Sequence, residues 1–378
     1  MRQKGHKLPG NGSLGDFKNA MKVKEPVDLC NFLKGFEIFF PSLIGDLAVI
    51  ERFSYEFVED LASDSVAYCE ARFCPHLLLP QKSLDLFSSK YVNGNDEETC
   101  NGNSTQIGEK LMKSDDILKA VLKGIKRGEE EYGTKVRIIL CCIRGCSQWA
   151  WDILRLCEEY HDQGVVGIDI AGDKGIRGIE SNDDTEIAVF AAAKEKGIHR
   201  TAHAGEAGPA STVKEAVEVL GAERIGHGYH VLEDDAIYNL CRQEDIHFEV
   251  CPHSSYDTGA ILALKTKSKR HPVLRFAEDD VSFSINTDDP TLTLTKLTDE
   301  YNLLSQWGFT EAHFTRANFQ AALHSFLSAD EKKMLIDQLR EAYSIVEYAV
   351  PTTASATSPL HEAPLKPSVT FGTWAERT

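Results

Sequence analysis

Seven short runs of apolar and β-branched residues punctuate the chain and predict strands. They cover residues 66–73 (VAYCEARF), 136–143 (VRIILCCI), 165–172 (VVGIDIAG), 199–205 (HRTAHAG), 224–230 (RIGHGYH), 246–252 (IHFEVCP) and 281–287 (VSFSINT). Most are nearly continuous rather than alternating, the pattern of a parallel sheet covered on both faces. Between them apolar positions recur at helical spacing over 114–132, 148–160, 183–197, 232–243, 310–326 and 329–347. In STVKEAVEVLGA, Val213, Ala216, Val217 and Leu220 share one face, Thr212 and Glu215 have capping-box spacing, and Gly221 marks a stop. Repeated strand–helix units mean an α/β fold, either a (β/α)8 barrel or a doubly wound open sheet.

The polar residues separate these two. Asp173, Glu206, His230, Ser254, Ser255, Asp288 and Asp289 fall at or just past strand C-terminal ends, which a barrel gathers around one mouth. No GxGxxG or Walker loop follows any of these runs. The pattern therefore predicts a TIM-type (β/α)8 barrel with only seven strands in evidence, none of them before residue 40. One barrel domain over 1–350 is expected, with a polar surface insert near 83–113 and a Pro-, Thr-, Ser- and Ala-rich disordered tail at 351–378.

Composition excludes more than it proposes. With 58 acidic against 41 basic residues the formal net charge is −17, which argues against nucleic acid or an anionic membrane as partner. The opening residues lack the apolar core of a secretory signal, and the 10 cysteines sit largely in apolar runs without zinc-knuckle or redox spacing. Buried free thiols in a reducing, cytoplasmic compartment are the expectation.

Three segments carry candidate chemistry. TAHAGEAG places His203 and Glu206 three apart among very small residues, a geometry open to a metal-binding imidazole and a proton-shuttling carboxyl, or to a hydrogen-bonded core histidine and a solvated loop glutamate. RIGHGYH sets His227 between two glycines that would clear space around its ring, with His230 in a structural role. NTDDP sets Asp288 and Asp289 side by side before Pro290, which suits a cation or bound donor and equally suits a helix N-cap. His203, His227 and Asp288 together are donors of the zinc type, though two ligands and one nearby imidazole fall short of a complete site.

TAHAGE, RIGHGYH, CPHSSY and NTDDP, in this order and spacing, resemble the adenosine deaminase family of zinc-dependent amidohydrolase-type barrels; EARFCPHLL, IDIAGD and NFLKGFEIFFP resemble corresponding stretches. The resemblance runs from about residue 20 to 350. It implies hydrolytic deamination of adenosine and 2′-deoxyadenosine to inosine and 2′-deoxyinosine by zinc-activated hydroxide, with a small purine nucleoside as partner. It further implies that His203 and Asp288 hold Zn2+, one ion per chain. Glu206 would protonate purine N1, and His227 would orient the hydroxide. Asp289 would accept from protonated N7 or steady the attacking group, and the Gly172 N–H would donate to N3. Leu29, Phe32 and Phe36 would form an apolar helical lid, although their spacing also fits a plain core-facing helix. The family's first strand carries His-x-His, whereas no two histidines here are two apart; the expectation is a barrel with that strand missing and an incomplete zinc site. Two alternatives follow. One is a catalytically inactive, metal-poor binding or regulatory form of the same fold. The other is a relative acting on AMP or adenine; for AMP, Arg72 and Arg144 would be the phosphate contacts.

Overall fold

The computed structural model describes residues 5–80, 112–172, 180–264 and 270–345. All seven expected strands are present: β1 (Tyr68–Phe73), β2 (Lys135–Ile143), β3 (Val165–Ala171), β4 (His199–Ala204), β5 (Arg224–His227), β6 (His247–Val250) and β7 (Phe283–Ile285). They pair in parallel, in the order in which they occur along the chain. A doubly wound sheet reverses its strand order part-way; one that adds every strand on the same side can roll up. Side chains show that it does. Arg224 on β5 meets Glu70 on β1 at 2.5 Å, and Arg72 on β1 meets Glu249 on β6 at 2.6 Å. A flat sheet would hold those strand pairs about 19 and 24 Å apart, at roughly 4.8 Å per strand.

The fold is thus an α/β barrel wall of seven strands. No pairing joins β1 to β7 among the described residues. The exposure of the two edges differs: β1 is half-buried along its whole length, while β5, β6 and β7 are buried throughout. Behind the sheet, Ile168 and Ile170 of β3 join Val189, Phe190, Val213 and Ala216 of the outer helices in one apolar core.

The expected helices form, Ser114–Tyr132 over its full expected length and others with trimmed ends, for instance Asp184–Glu195, Asp235–Gln243 and Ala329–Ala342. The capping box does not. Helix Ala210–Glu218 starts from Pro209, so Thr212 lies inside its first turn and Glu215 turns away to Asn182. The stop comes before Gly221, with Val219 as C-cap. Helices Leu14–Met21, Leu47–Ser63 and Leu297–Gln306 are additional. Gly124 and Gly128 let Ser114–Tyr132 lie close on Leu47–Ser63: a Cβ at 124 would stand 2.1 Å from the Glu51 carbonyl, and one at 128 would stand 2.5 Å from Val58.

Apart from Met112 and Lys113, the expected insert lies outside the described residues, as do the tail and Asp173. The nine cysteines among the described residues are free. Among those residues no helix is long and apolar enough to cross a membrane.

Candidate active site

His203 stands near the C-terminal end of β4, and β3 orients it. Its Nδ1 lies 3.1 Å from Asp169 Oδ2, and the same oxygen accepts from Arg72 Nη1 at 3.0 Å. Arg72 continues to Glu249, which also binds Arg224 and the Thr201 hydroxyl. This chain of ion pairs fills the barrel interior. It holds a proton on Nδ1 of His203 and leaves Nε2 as the nitrogen that a metal ion would take in place of its own proton. Burial alone would lower the imidazole pKa; the Asp169 carboxylate outweighs it and lifts the group to about 9. Asp169 itself, despite full burial, is held far below the usual carboxylate range by His203 and Arg72.

Around Nε2 the structure gathers the other chemistry. His227 ends β5, and its ring centroid lies 5.2 Å from that of His203. Its Nε2 is 3.6 Å from Glu206 Oε2 and 3.6 Å from Asp288 Oδ2. Burial lowers His227 to about 4, so it is neutral at pH 7, and its Nδ1 is buried without a hydrogen-bond partner. Glu206 is buried with Oε1 unpartnered. Its pKa is pushed well up, first by desolvation and then by the Asp288 charge. Asp289 is raised by the same two causes. Asp288 accepts from the Ser254 hydroxyl at 2.6 Å. His227 and Asp288 both have left-handed backbones, φ +63° and +58°; strain of this kind at non-glycine residues concentrates at functional sites.

The expected glycine roles change. His227 is a strand-terminal residue, not a mid-strand one, and its flanking glycines make room for other rings. A Cβ on Gly226 would stand 3.2 Å from the His203 ring, and one on Gly228 would stand 2.4 Å from Phe248. Gly205 makes a tight turn after β4, at φ +67°. Asp289 is the backbone N-cap of helix Pro290–Thr293, but its side chain makes no cap hydrogen bond. Gly172 follows β3 at φ +87°. Leu29, Phe32 and Phe36 do not share one helix: Leu29–Leu33 ends before Gly35 and Phe36 opens Phe36–Leu43. Leu29 and Phe32 are buried, and Phe36 is half-buried. Gly35 presses on Leu292, where a Cβ would meet it at 2.7 Å, so this region lies beside the Asp288–Asp289 segment.

Both arginines considered for phosphate are already committed. Arg72 is bound as described. Arg144, 3 % exposed, donates to the Gly172 carbonyl at 2.9 Å, the His203 carbonyl at 2.7 Å and Asn182 Oδ1 at 3.0 Å. Sequence reasoning missed Asp169, Glu180 and Glu249 as parts of the site. The available signal for Asp169 and Glu249 was a charged residue inside an otherwise apolar strand run.

His203, His227 and Asp288 are the group among the described residues whose ligand atoms converge, all within 4.8 Å of one another. Two imidazoles and a carboxylate are borderline donors suited to zinc-type ions, and three of them leave a position open. The crowded carboxyls Glu206, Asp288 and Asp289 point the same way, since a cation offsets that crowding. The residues fit a metal ion. A rolled parallel sheet with such a donor set at its strand ends defines a metal-dependent hydrolase barrel.

Comparison with known proteins narrows this class. The adenosine deaminase family model matches residues 1–342. The adenosine deaminase of Bos taurus is 41% identical over 356 residues, covering 94% of this chain and 90% of its own. That of Rattus norvegicus is 39% identical, covering 90% and 91%. Two solved structures share the fold. Adenine deaminase from Arthrobacter aurescens has a TM-score of 0.70 at 21% identity over 91% of this chain and 92% of its own. A zinc-bound amidohydrolase from Burkholderia ambifaria has a TM-score of 0.67 at 20% identity, over 91% and 86%. The chain belongs to the adenosine deaminase family.

Proposed function

We propose that the chain hydrolyses adenosine and 2′-deoxyadenosine to inosine and 2′-deoxyinosine, adding water at C6 and releasing ammonia. The observation that carries this is Glu206, buried, pushed toward its protonated form and 3.6 Å from the neutral His227 beside a metal-type donor set. His203 and Asp288 would hold Zn2+, with His227 Nε2 within reach of the same point. Zinc, when bound, makes water a competent nucleophile at neutral pH.

The remaining work belongs to side chains. Attack at C6 breaks the ring's aromaticity and drives electron density onto N1. Glu206 gives its proton there and so removes the cost of a charged ring. His227, uncharged near neutrality, accepts a proton from the attacking water, aligns it, and returns that proton to the C6 amine as it leaves as ammonia, while the proton of the new C6 hydroxyl restores Glu206. Asp289, also pushed up, shares a proton with N7, and the Gly172 N–H donates to N3. Leu29, Phe32 and Phe36 cover the base and exclude water. A nucleoside fits better than a nucleotide, because Arg72 is held by Asp169 and Glu249 and Arg144 by Asn182 and the Gly172 and His203 carbonyls, so neither guanidinium is free to turn toward a phosphate. The same reading takes residues 1–350 as one barrel domain and places the chain in the cytoplasm, with its free thiols reduced.

Ammonia release from adenosine by the zinc-loaded chain and by Glu206→Gln tests this. Loss of about 10²–10⁴ in kcat is expected, with bound zinc unchanged. Equal turnover by the variant overturns the role of Glu206. Adenosine binding without zinc or turnover in the parent chain would make it the metal-poor binding form.

A further inference from the structure

We propose that Glu180 is a positioning residue for Glu206: its buried carboxylate holds the turn that carries the proton donor. The proposal rests on the role assigned to Glu206 above. Glu180 lies beyond β3, outside any helix or strand, and is 2 % exposed. Its Oε2 accepts from the Gly205 N–H at 2.5 Å and the Thr212 hydroxyl at 3.0 Å. Its Oε1 accepts from the Glu206 N–H at 3.2 Å and the Ala207 N–H at 2.7 Å. Three consecutive amides converging on one point form an anion-binding nest, and here the chain's own carboxylate fills it.

The Glu206 side chain has little else to place it. Its Oε1 has no partner, and its Oε2 is 3.6 Å from the nearest imidazole nitrogen, beyond a hydrogen bond. Where the carboxyl sits is therefore decided by the backbone at 205–207, and Glu180 fixes that backbone. Gly208 fits the same design. Its φ is not left-handed, but a Cβ there would stand 2.8 Å from Glu180 Oε2. The glycine is needed so that the carboxylate can reach under the turn.

Glu180→Gln is the test. It keeps the shape but turns one acceptor oxygen into an N–H2 that must face two of the four donors. Hydrogen exchange at the amides of 205–207 should lose protection. In adenosine turnover kcat should fall about 10- to 100-fold, as expected for a group displaced by about 1 Å, while KM stays within about threefold and bound zinc is unchanged. Thr212→Val, which removes one donor to Oε2 and the hydroxyl that accepts from Gly205 N–H at 3.0 Å, should give a smaller kcat loss of the same kind, and it serves if the first variant does not fold. Undiminished kcat despite lost protection overturns the proposal, as does a rise in KM alone. If the zinc-loaded parent chain does not deaminate adenosine, the role of Glu206 fails instead. Exchange alone then judges the brace, and retained protection in Glu180→Gln overturns it.

Discussion

Replacing Asp169 by Asn isolates how the barrel interior controls His203. Asp169 is fully buried and accepts from Arg72 Nη1 at 3.0 Å and His203 Nδ1 at 3.1 Å, with the Cys141 thiol donating at 3.5 Å. An asparagine offers one oxygen and one N–H2 in the same space. Arg72 Nη1 holds the oxygen in the Oδ2 position, which His203 Nδ1 shares at 3.1 Å, and the N–H2 takes the Oδ1 position, 3.3 Å from Nδ1. The carboxylate charge that fixes a proton on Nδ1 is gone and an amide hydrogen competes for that nitrogen, which favours the tautomer with the proton on Nε2, where it blocks ligation. Lost support of this kind costs about 10- to 100-fold in metal affinity, or roughly 1.4–2.7 kcal/mol. Stability also falls, because a charge-assisted hydrogen bond worth about 1.5–3 kcal/mol is lost. Arg72 keeps Glu249 at 2.6 Å, so the larger penalty of an unpaired buried charge does not apply. Zinc competition with a chelator, together with urea unfolding of the metal-free chain, measures both effects. A variant that binds zinc as tightly as the parent would refute the tautomer argument, whatever its stability.

Two further outcomes follow from positions elsewhere. Gly226→Ala keeps a backbone that alanine can adopt but brings a Cβ to 3.2 Å from the His203 ring; the ring must move by tenths of an ångström, and about a tenfold loss of zinc affinity is expected with the melting temperature little changed. Unaltered zinc binding would mean that the ring has slack the structure does not show. Buried His271 accepts from the Val273 N–H through Nδ1 at 3.1 Å and meets the Ser255 hydroxyl through Nε2 at 2.8 Å, and burial holds it at about 3 against an ordinary 6.5. The folded state therefore binds fewer protons than the unfolded one below pH 6.5. Stability is fully present above that pH and is lost on acidification, at up to about 1.4 kcal/mol per pH unit down to pH 3. Urea midpoints at pH 4–7 should fall less steeply for His271→Asn, which can still cap the helix at Pro272; parallel profiles would remove His271 as the cause.

The wall of the barrel could be read from the chain, because each strand is a compact apolar run and the helices repeat between them. Its curvature could not. Rolling is visible only in pairs such as Glu70 with Arg224 and Arg72 with Glu249, 154 and 177 residues apart, and no local pattern assigns such partners. The same limit applies at the site. His203, Glu206 and Asp288 stood out as polar residues at strand ends, where barrel chemistry collects, and His227 as an imidazole between two glycines within a strand run. The left-handed backbones of His227 and Asp288 gave no signal, since neither is glycine. Glu180 was hidden for a different reason: one glutamate among polar residues after a strand looks solvated until its four donors are seen.

The smallness of TAHAGEAG has a physical reason that the sequence alone inverts. Small residues read as space left open for a ligand, yet Ala202 and Ala204 are fully buried and the turn is crowded from behind. Gly205 needs its left-handed φ, and a Cβ there would meet Val213 at 2.6 Å. Gly208 yields to Glu180, and Gly226 on the next strand yields to His203. Each missing side chain lets a neighbouring group come closer to the turn than a Cβ would permit. The turn that bears Glu206 is thereby held by Val213 and Glu180, neither of which hydrogen-bonds the Glu206 carboxyl. Rigid support behind a catalytic carboxyl that makes no hydrogen bond of its own is how such a group stays in place without being neutralised by a partner.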